Sequence, residues 1–317
     1  MATVSRHTTL VMIGRETGGY GVAMTTPEQK FACNMDYSFD YNQVKIPQHT
    51  QTLEPMLNES HLGRKSGTVR LSGVLVDEME IFLEAALLDS DSPYTIQTKS
   101  DIAETANNYS FTIYQAYPAS SSDAGDGVQA IGCRCQSLTI RKDGEYVGFE
   151  AVFKALSIDD MVDFSGLTLT TITNTTYPSH TPFLWRAVTC DLVDSGAIAD
   201  ITDLNFNITN RFANDDVLFQ NSQTSQIGTI CGVDVKLTYR ILYDTVKDAT
   251  VYDNIWGAKK EDIFSIINAS ATWAFTTWGQ YTPEYAKPDD TECLYESDVT
   301  KECRGDSTNA ALSIAVS

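Results

Sequence analysis

Over residues 131–157, IGCRCQSLTIRKDGEYVGFEAVFKALS, apolar and polar side chains alternate with period two on either side of a polar break. The runs 133–140 and 146–156 flank Lys142-Asp143-Gly144-Glu145. An Asp-Gly pair between alternating runs predicts a long antiparallel β-hairpin. The same period predicts strands at 31–41, 69–76, 109–117, 203–209, 228–242 and 271–279, and a C-terminal pair ending on 310–316. After Asp77 the spacing becomes helical. Ile81, Phe82, Ala85 and Leu88 share a face, Asp77 and Glu80 have the form of a capping box, and Ser90-Asp91-Ser92-Pro93 ends the helix. A second, less amphipathic helix is expected over 246–256.

The pattern is stated twice. The last 27 residues, 291–317, match the length of the 131–157 hairpin, put Cys293 where Cys133 sits and end on a similar strand. Tyr109-Ser110-Phe111-Thr112-Ile113-Tyr114 has its counterpart in Trp273-Ala274-Phe275-Thr276-Thr277-Trp278. Upstream, Gly67-Thr68-Val69 and Gly228-Thr229-Ile230 each begin a strand that leads into a helical stretch. Order and spacing agree across three blocks, so the reading is a tandem duplication. The expected fold is mainly β, sandwich or barrel-forming, with one helix per domain. The first domain spans 1–165, a threonine-rich linker 166–180, and the second domain 181–317.

Three stretches lack period. Residues 1–30 read as an N-terminal arm with no signal-peptide core. Within it, 14–21 hold four glycines in eight positions, but no helix pattern follows, so a flexible turn is expected and not a phosphate loop. Residues 42–65 carry Pro47 and Pro55 and mix charge with Leu53, Met56, Leu57 and Leu62. A loop of that length with apolar residues points to a partner contact.

Composition narrows the function. The net charge is −20, with twelve basic against twenty-two acidic side chains in 1–176 and ten against twenty in 177–317. That distribution argues against a nucleic-acid reader held by phosphate contacts. No apolar run reaches the ~18 residues of a membrane span, so no membrane insertion is expected. The seven cysteines are scattered except for Cys133 and Cys135, which lack a second pair at zinc-site spacing and read as free buried thiols. No G-x-S-x-G elbow or HExxH arrangement occurs, and no catalytic residue, cofactor or metal is expected. Arg304-Gly305-Asp306 spells an adhesion tripeptide, but in the repeat alignment it falls on the turn of the second hairpin.

The opening GRETGGYG, the strand 67–73, the helix and the hairpin GCRCQSLTIRKDGEYVGFEAVF, in that order, resemble the major tail tube proteins of long-tailed bacteriophages, in the form with two fused tube domains. The resemblance covers nearly all of the first repeat and, more weakly, the second. It implies β-sandwich domains that close six to a ring, so three chains would make a pseudo-hexameric ring. Rings would stack into a tube in the virion tail, assembled in the host cytoplasm. The partners it implies are the chain itself, other tail proteins at the tube ends, and double-stranded DNA in transit without specific binding. The loop 42–65, with Leu53, Met56, Leu57 and Leu62, is the expected stacking contact. On the hairpin, either Gln136, Leu138 and Ile140 or Ser137, Thr139 and Arg141 would face the lumen. The polar set is favoured, with Glu145 and Glu150 as lumen-facing acids. The alternative is a receptor-binding or adhesin-type β-sandwich module of a phage particle.

Overall fold

The computed structural model describes residues 10–31, 33–45, 60–96, 110–117, 125–164, 167, 172–174, 181–192, 197–199, 201–212, 230–242, 259–282, 296–306 and 308–317. It is mainly β and almost wholly antiparallel. The chain opens with β1 (Leu10–Arg15), β2 (Gln29–Phe31), β3 (Asn34–Lys45) and β4 (Ser60–Val74), then helix α1 (Ile81–Leu87) and the short β5 (Tyr94–Thr95). β6 (Phe111–Tyr117), β7 (Asp126–Asp143), β8 (Tyr146–Ala155) and β9 (Ser157–Asp163) complete the first half, and β10 (Thr173–Asn174) follows. The second half contains β11 (Val188–Leu192), β12 (Ala197–Ala199), β13 (Ile201–Phe212) and β14 (Ile230–Leu242). It closes with β15 (Lys260–Ile267), β16 (Thr272–Tyr281), β17 (Glu296–Cys303) and β18 (Leu312–Val316).

β7 and β8 form the expected hairpin, with Asp143 opposite Tyr146 and Gly144-Glu145 as a two-residue turn. Gly144 has φ 61°, the left-handed value that the first position of such a turn demands and that glycine adopts without a Cβ clash. The first part of β7 pairs with β6 and β9, whereas its second part pairs with β8. The strand thus passes from one sheet layer to the other. Gly132, at φ 64°, sits where it crosses; a Cβ there would come within 2.7 Å of Leu156.

The pairings of the first half recur in the second in the same chain order. β1–β2, β1–β6, β3–β4 and β4–β8 are matched by β11–β12, β11–β15, β13–β14 and β14–β17. β6–β7, β7–β8 and β7–β9 are matched by β15–β16, β16–β17 and β16–β18. This correspondence is shifted from the one the sequence suggested. The counterpart of the β7–β8 hairpin is β16–β17. The expected terminal hairpin is instead two strands, β17 and β18, that lie end to end along one edge of β16.

Several boundaries differ from expectation. Residues 1–30 contain β1, which pairs on both sides, with β2 and β6. Val11, Met12 and Ile13 are all buried, the first and third in the main core and the second in a smaller cluster on the opposite face. A strand covered on both faces shows no alternation to detect. Strand structure also enters the expected loop from both ends, since Lys45 pairs with Ser60 at the far end of the β3–β4 ladder. The helix starts at Ile81 with Glu80 as N-cap and no side-chain capping bond. Asp77 instead accepts the Thr181 amide at 2.8 Å, tying the start of the second half to the first. Residues 246–256, expected to be helical, lie outside the described residues, as does most of the linker 166–180.

One hydrophobic core runs through both halves, from Ile13 and Phe31 through Phe82 and Phe149 to Phe206, Phe275 and Trp273. Phe183 joins them at the crossing: its amide bonds the Leu75 carbonyl and its ring lies 5.5 Å from that of Trp273.

Candidate functional site

Seven strands lie side by side in the order β3, β4, β8, β7, β13, β14, β17, and the centre of that order crosses from one half of the chain to the other. At the seam, Ile140 faces Phe206 and Leu138 faces Ile208. All four are buried. Helix α1 packs over the seam on this apolar side, and the buried Asn210 amide donates to the carbonyls of Ala86 on the helix and Cys135 on β7. Strand alternation turns every intervening residue to the other face.

That other face is mostly polar, with Val74 and Val152 among its apolar positions. It carries Ser137, Thr139 and Arg141 from β7, Asn205, Asn207 and Thr209 from β13, and Asp234, Lys236 and Thr238 from β14. The last six line a shallow open depression. Among the described side chains of the face, six acids (Asp36, Asp143, Glu150, Asp203, Asp234, Glu302) are interleaved with six bases (Arg70, Arg141, Lys154, Arg211, Lys236, Arg240). Arg211 meets Asp234 at 2.8 Å, and Arg70 lies 3.4 Å from Glu150. Among its described side chains the face thus carries equal numbers of acids and bases, in a chain of net charge −20.

Of the expected lumen-facing residues, the polar set Ser137, Thr139 and Arg141 shares one face while Leu138 and Ile140 enter the core. Glu150 sits opposite Thr139 on the polar face, engaged by Arg70. Glu145 is at the exposed turn, beyond the paired strands, where its carbonyl accepts the Trp185 amide. Leu53, Met56 and Leu57 lie outside the described residues. Leu62 is in β4 opposite Gln43, and its side chain lies outside them.

The glycine-rich turn is pinned. Buried Glu16 accepts the Gly21 and Gly132 amides at 2.8 and 2.7 Å and the Ser110 and Thr112 hydroxyls at 2.6 and 2.9 Å. Arg134 lies 4.2 Å from the centre of the Tyr20 ring at the same turn. The second half has its own buried polar group. Lys301 bonds Asp262 at 3.0 Å with both side chains fully buried, Tyr281 donates to the other Asp262 oxygen at 2.7 Å, and Thr277 accepts from Lys301. Every group in this network has a partner within it and none opens to solvent, so its geometry is that of a core support. Nothing in the sequence pattern pointed to either network, because each joins residues far apart in the chain.

Cys133 and Cys135 are buried on β7, and burial pushes the Cys135 thiol up to about 12, as it does that of Cys303. Such thiols stay protonated and unreactive at neutral pH. No group of three or more His, Cys, Asp or Glu among the described residues could hold a metal ion. No helix among them is long and apolar enough to cross a membrane. In Arg304-Gly305-Asp306 the aspartate is already engaged: it accepts the Thr308 and Asn309 amides and the Trp278 indole N–H. Comparison with known proteins finds no family model that matches the chain and no curated relative.

Proposed function

We propose that this chain is a structural subunit that assembles with its own copies into stacked rings, forming the tail tube of a long-tailed phage. In this reading 1–165 and 181–317 are duplicated tube domains, and three chains make a pseudo-hexameric ring. The observation that carries it is the sheet shared by both halves, polar on one face and apolar on the other, and extended to seven strands by the β7–β13 seam. A wide open sheet is a liability because its edges template aggregation, and closure into a ring removes them. The repeated order of strand pairings supports the duplication, and the ring it implies would alternate first and second halves.

The polar face is the wall that DNA would pass. Duplex DNA carries one negative charge per ~1.7 Å of axis, and a basic wall would hold it by counterion release at every ring. A face whose bases are interleaved with acids offers no net cationic field, and so suits passage without specific binding. The subunit would belong to the virion tail and meet other tail proteins at the tube ends. Negative-stain microscopy of the purified full chain tests the reading: stacked rings or hollow tubes of uniform bore are expected. Single particles of monomer size at every concentration would overturn it.

A further inference from the structure

We propose that Lys301 and Asp262 condense into an isopeptide bond, an amide between the two side chains that ties β17 to β15 across β16. The inference concerns the core of the second half and does not depend on the assembly reading. Strand register brings the groups together. On β16, Thr277 and Tyr281 are an even number of positions apart and so share a face. Thr277 is opposite Asp262 of β15, and Tyr281 is opposite Lys301 of β17. Lys301 Nζ lies 3.0 Å from Asp262 Oδ2, with both side chains fully buried. An amine nitrogen is a nucleophile and a carboxyl carbon an electrophile, and reacting atoms held about 3–3.5 Å apart are poised for attack. Apolar side chains would fill such a core without the cost of burying two charges. An amide removes both charges.

The step balances without a co-reactant. The ammonium passes one proton along the contact to Oδ2, which gives an amine and a carboxylic acid. The nitrogen lone pair attacks Cγ, so the N–C bond forms and Oδ1 takes the negative charge. Tyr281 donates to Oδ1 at 2.7 Å, where that charge develops. Burial, with the Asp262 carboxylate beside it, holds the Tyr281 phenol well above the usual tyrosine range, so the proton stays on its oxygen. A second proton then moves from nitrogen to the Oδ2 hydroxyl, the Cγ–Oδ2 bond breaks, and water leaves. Thr277 orients the amine. Its carbonyl and hydroxyl accept from Nζ at 3.2 and 3.4 Å, while the hydroxyl's own proton goes to the Asp262 backbone carbonyl at 3.1 Å. The product keeps these contacts without charge, its N–H facing the Thr277 carbonyl and its C=O receiving the Tyr281 hydroxyl. A site closed to solvent also withholds the water that would reverse the step. The bond forms only at the folded geometry, so a freshly folded chain holds the ionic pair and a matured one the amide.

Intact mass spectrometry of the full chain, denatured before measurement, tests the bond. Chain made by cell-free translation should start at the sequence mass and, once folded, fall by the mass of one water. In a tryptic map, cleavage after Lys301 should vanish, and the peptides carrying Asp262 and Lys301 should run as one. A folded parent that keeps the full sequence mass on prolonged incubation would overturn the bond and leave an ionic pair only. Water lost elsewhere, such as by succinimide formation at Asp143-Gly144, would overturn it equally, and fragment spectra tell the two apart. The loss should be absent from Lys301→Met; its persistence there would also overturn the bond. Tyr281→Phe should slow the loss by on the order of a hundredfold. A folded Phe variant that matures at the parent's rate removes the part assigned to Tyr281. If either variant does not fold, the mass and peptide map of the parent decide.

Discussion

Glu16 shows how much a single side chain can organise. Its two oxygens each receive one backbone N–H and one hydroxyl, from Gly21 on the glycine-rich turn, Ser110 just before β6, Thr112 in β6 and Gly132 in β7. The hydroxyls can rotate, but the amides of Gly21 and Gly132 cannot. In Glu16→Gln the side-chain NH₂ must therefore face one of those fixed donors, whichever way the amide is turned. We expect this near-isosteric change to cost about 2–3 kcal/mol, close to that of Glu16→Ala, because hydrogen bonds to a charged acceptor are worth about 1.5–3 kcal/mol and a buried donor left unpaired adds its desolvation. Urea unfolding checks it; a Gln variant as stable as the parent would mean that the site relaxes around the amide. Glu84 allows a test of sign. Burial raises its carboxyl above the ordinary 4.5, and Arg15 at 2.9 Å offsets only part of that. A carboxyl raised on folding supports the folded state fully below its unfolded value and loses that contribution as pH rises through the raised one. Between about pH 4 and pH 7 the stability difference should therefore move in favour of Glu84→Gln. A difference independent of pH would show that burial is not what shifts this group.

At the scale of elements, β15, β16 and β17 are joined by more than their ladders. Asp262, Thr277 and Lys301 come one from each, and form a sealed network where the corresponding strands of the first half pack Phe153 and its apolar neighbours. Removing one partner of a buried pair leaves a charge without compensation, at a cost of about 3–5 kcal/mol, while an apolar replacement of both can be neutral. Lys301→Met should fall in that range, and Lys301→Met with Asp262→Leu should recover most of it in chemical denaturation. A double variant no better than the single would show that Tyr281, which also bonds Asp262, dominates the network. α1 illustrates a different dependence. Only seven residues long and without a side-chain cap, it is too short to persist alone and is held by six buried side chains over the β7–β13 seam.

For the whole molecule, the seam and the shared core decide cooperativity. Two tandem domains joined by a linker would unfold separately, but here the core is continuous, Phe183 spans the crossing, and β5 of the first half pairs with β18 of the second. A single calorimetric transition is therefore expected for the monomer. Two resolved transitions would show that the β7–β13 seam opens before either half unfolds. The charge distribution also belongs to this scale. The described side chains of the polar face hold as many bases as acids, so the −20 excess falls on the other residues of the chain, where like charges of neighbouring chains would repel.

What the sequence determined by itself is what rests on local period and turn chemistry. The alternation in 133–140 and 146–156 with Gly144 between them specifies the β7–β8 hairpin, and the spacing of Ile81, Phe82 and Ala85 specifies α1, because each pattern is set by the backbone period of one element. The polar set Ser137, Thr139 and Arg141 was legible for the same reason. Tertiary structure alone decided what depends on distant partners. β1 is buried on both faces, so its alternation vanished; Asp77 left its capping role for Thr181; the terminal strands went to β16 and not to each other. The polar face exists as one surface only because β7 accepts β13, more than sixty positions further on. The interleaving of its described acids and bases follows from which strands become neighbours, a property that no single strand carries.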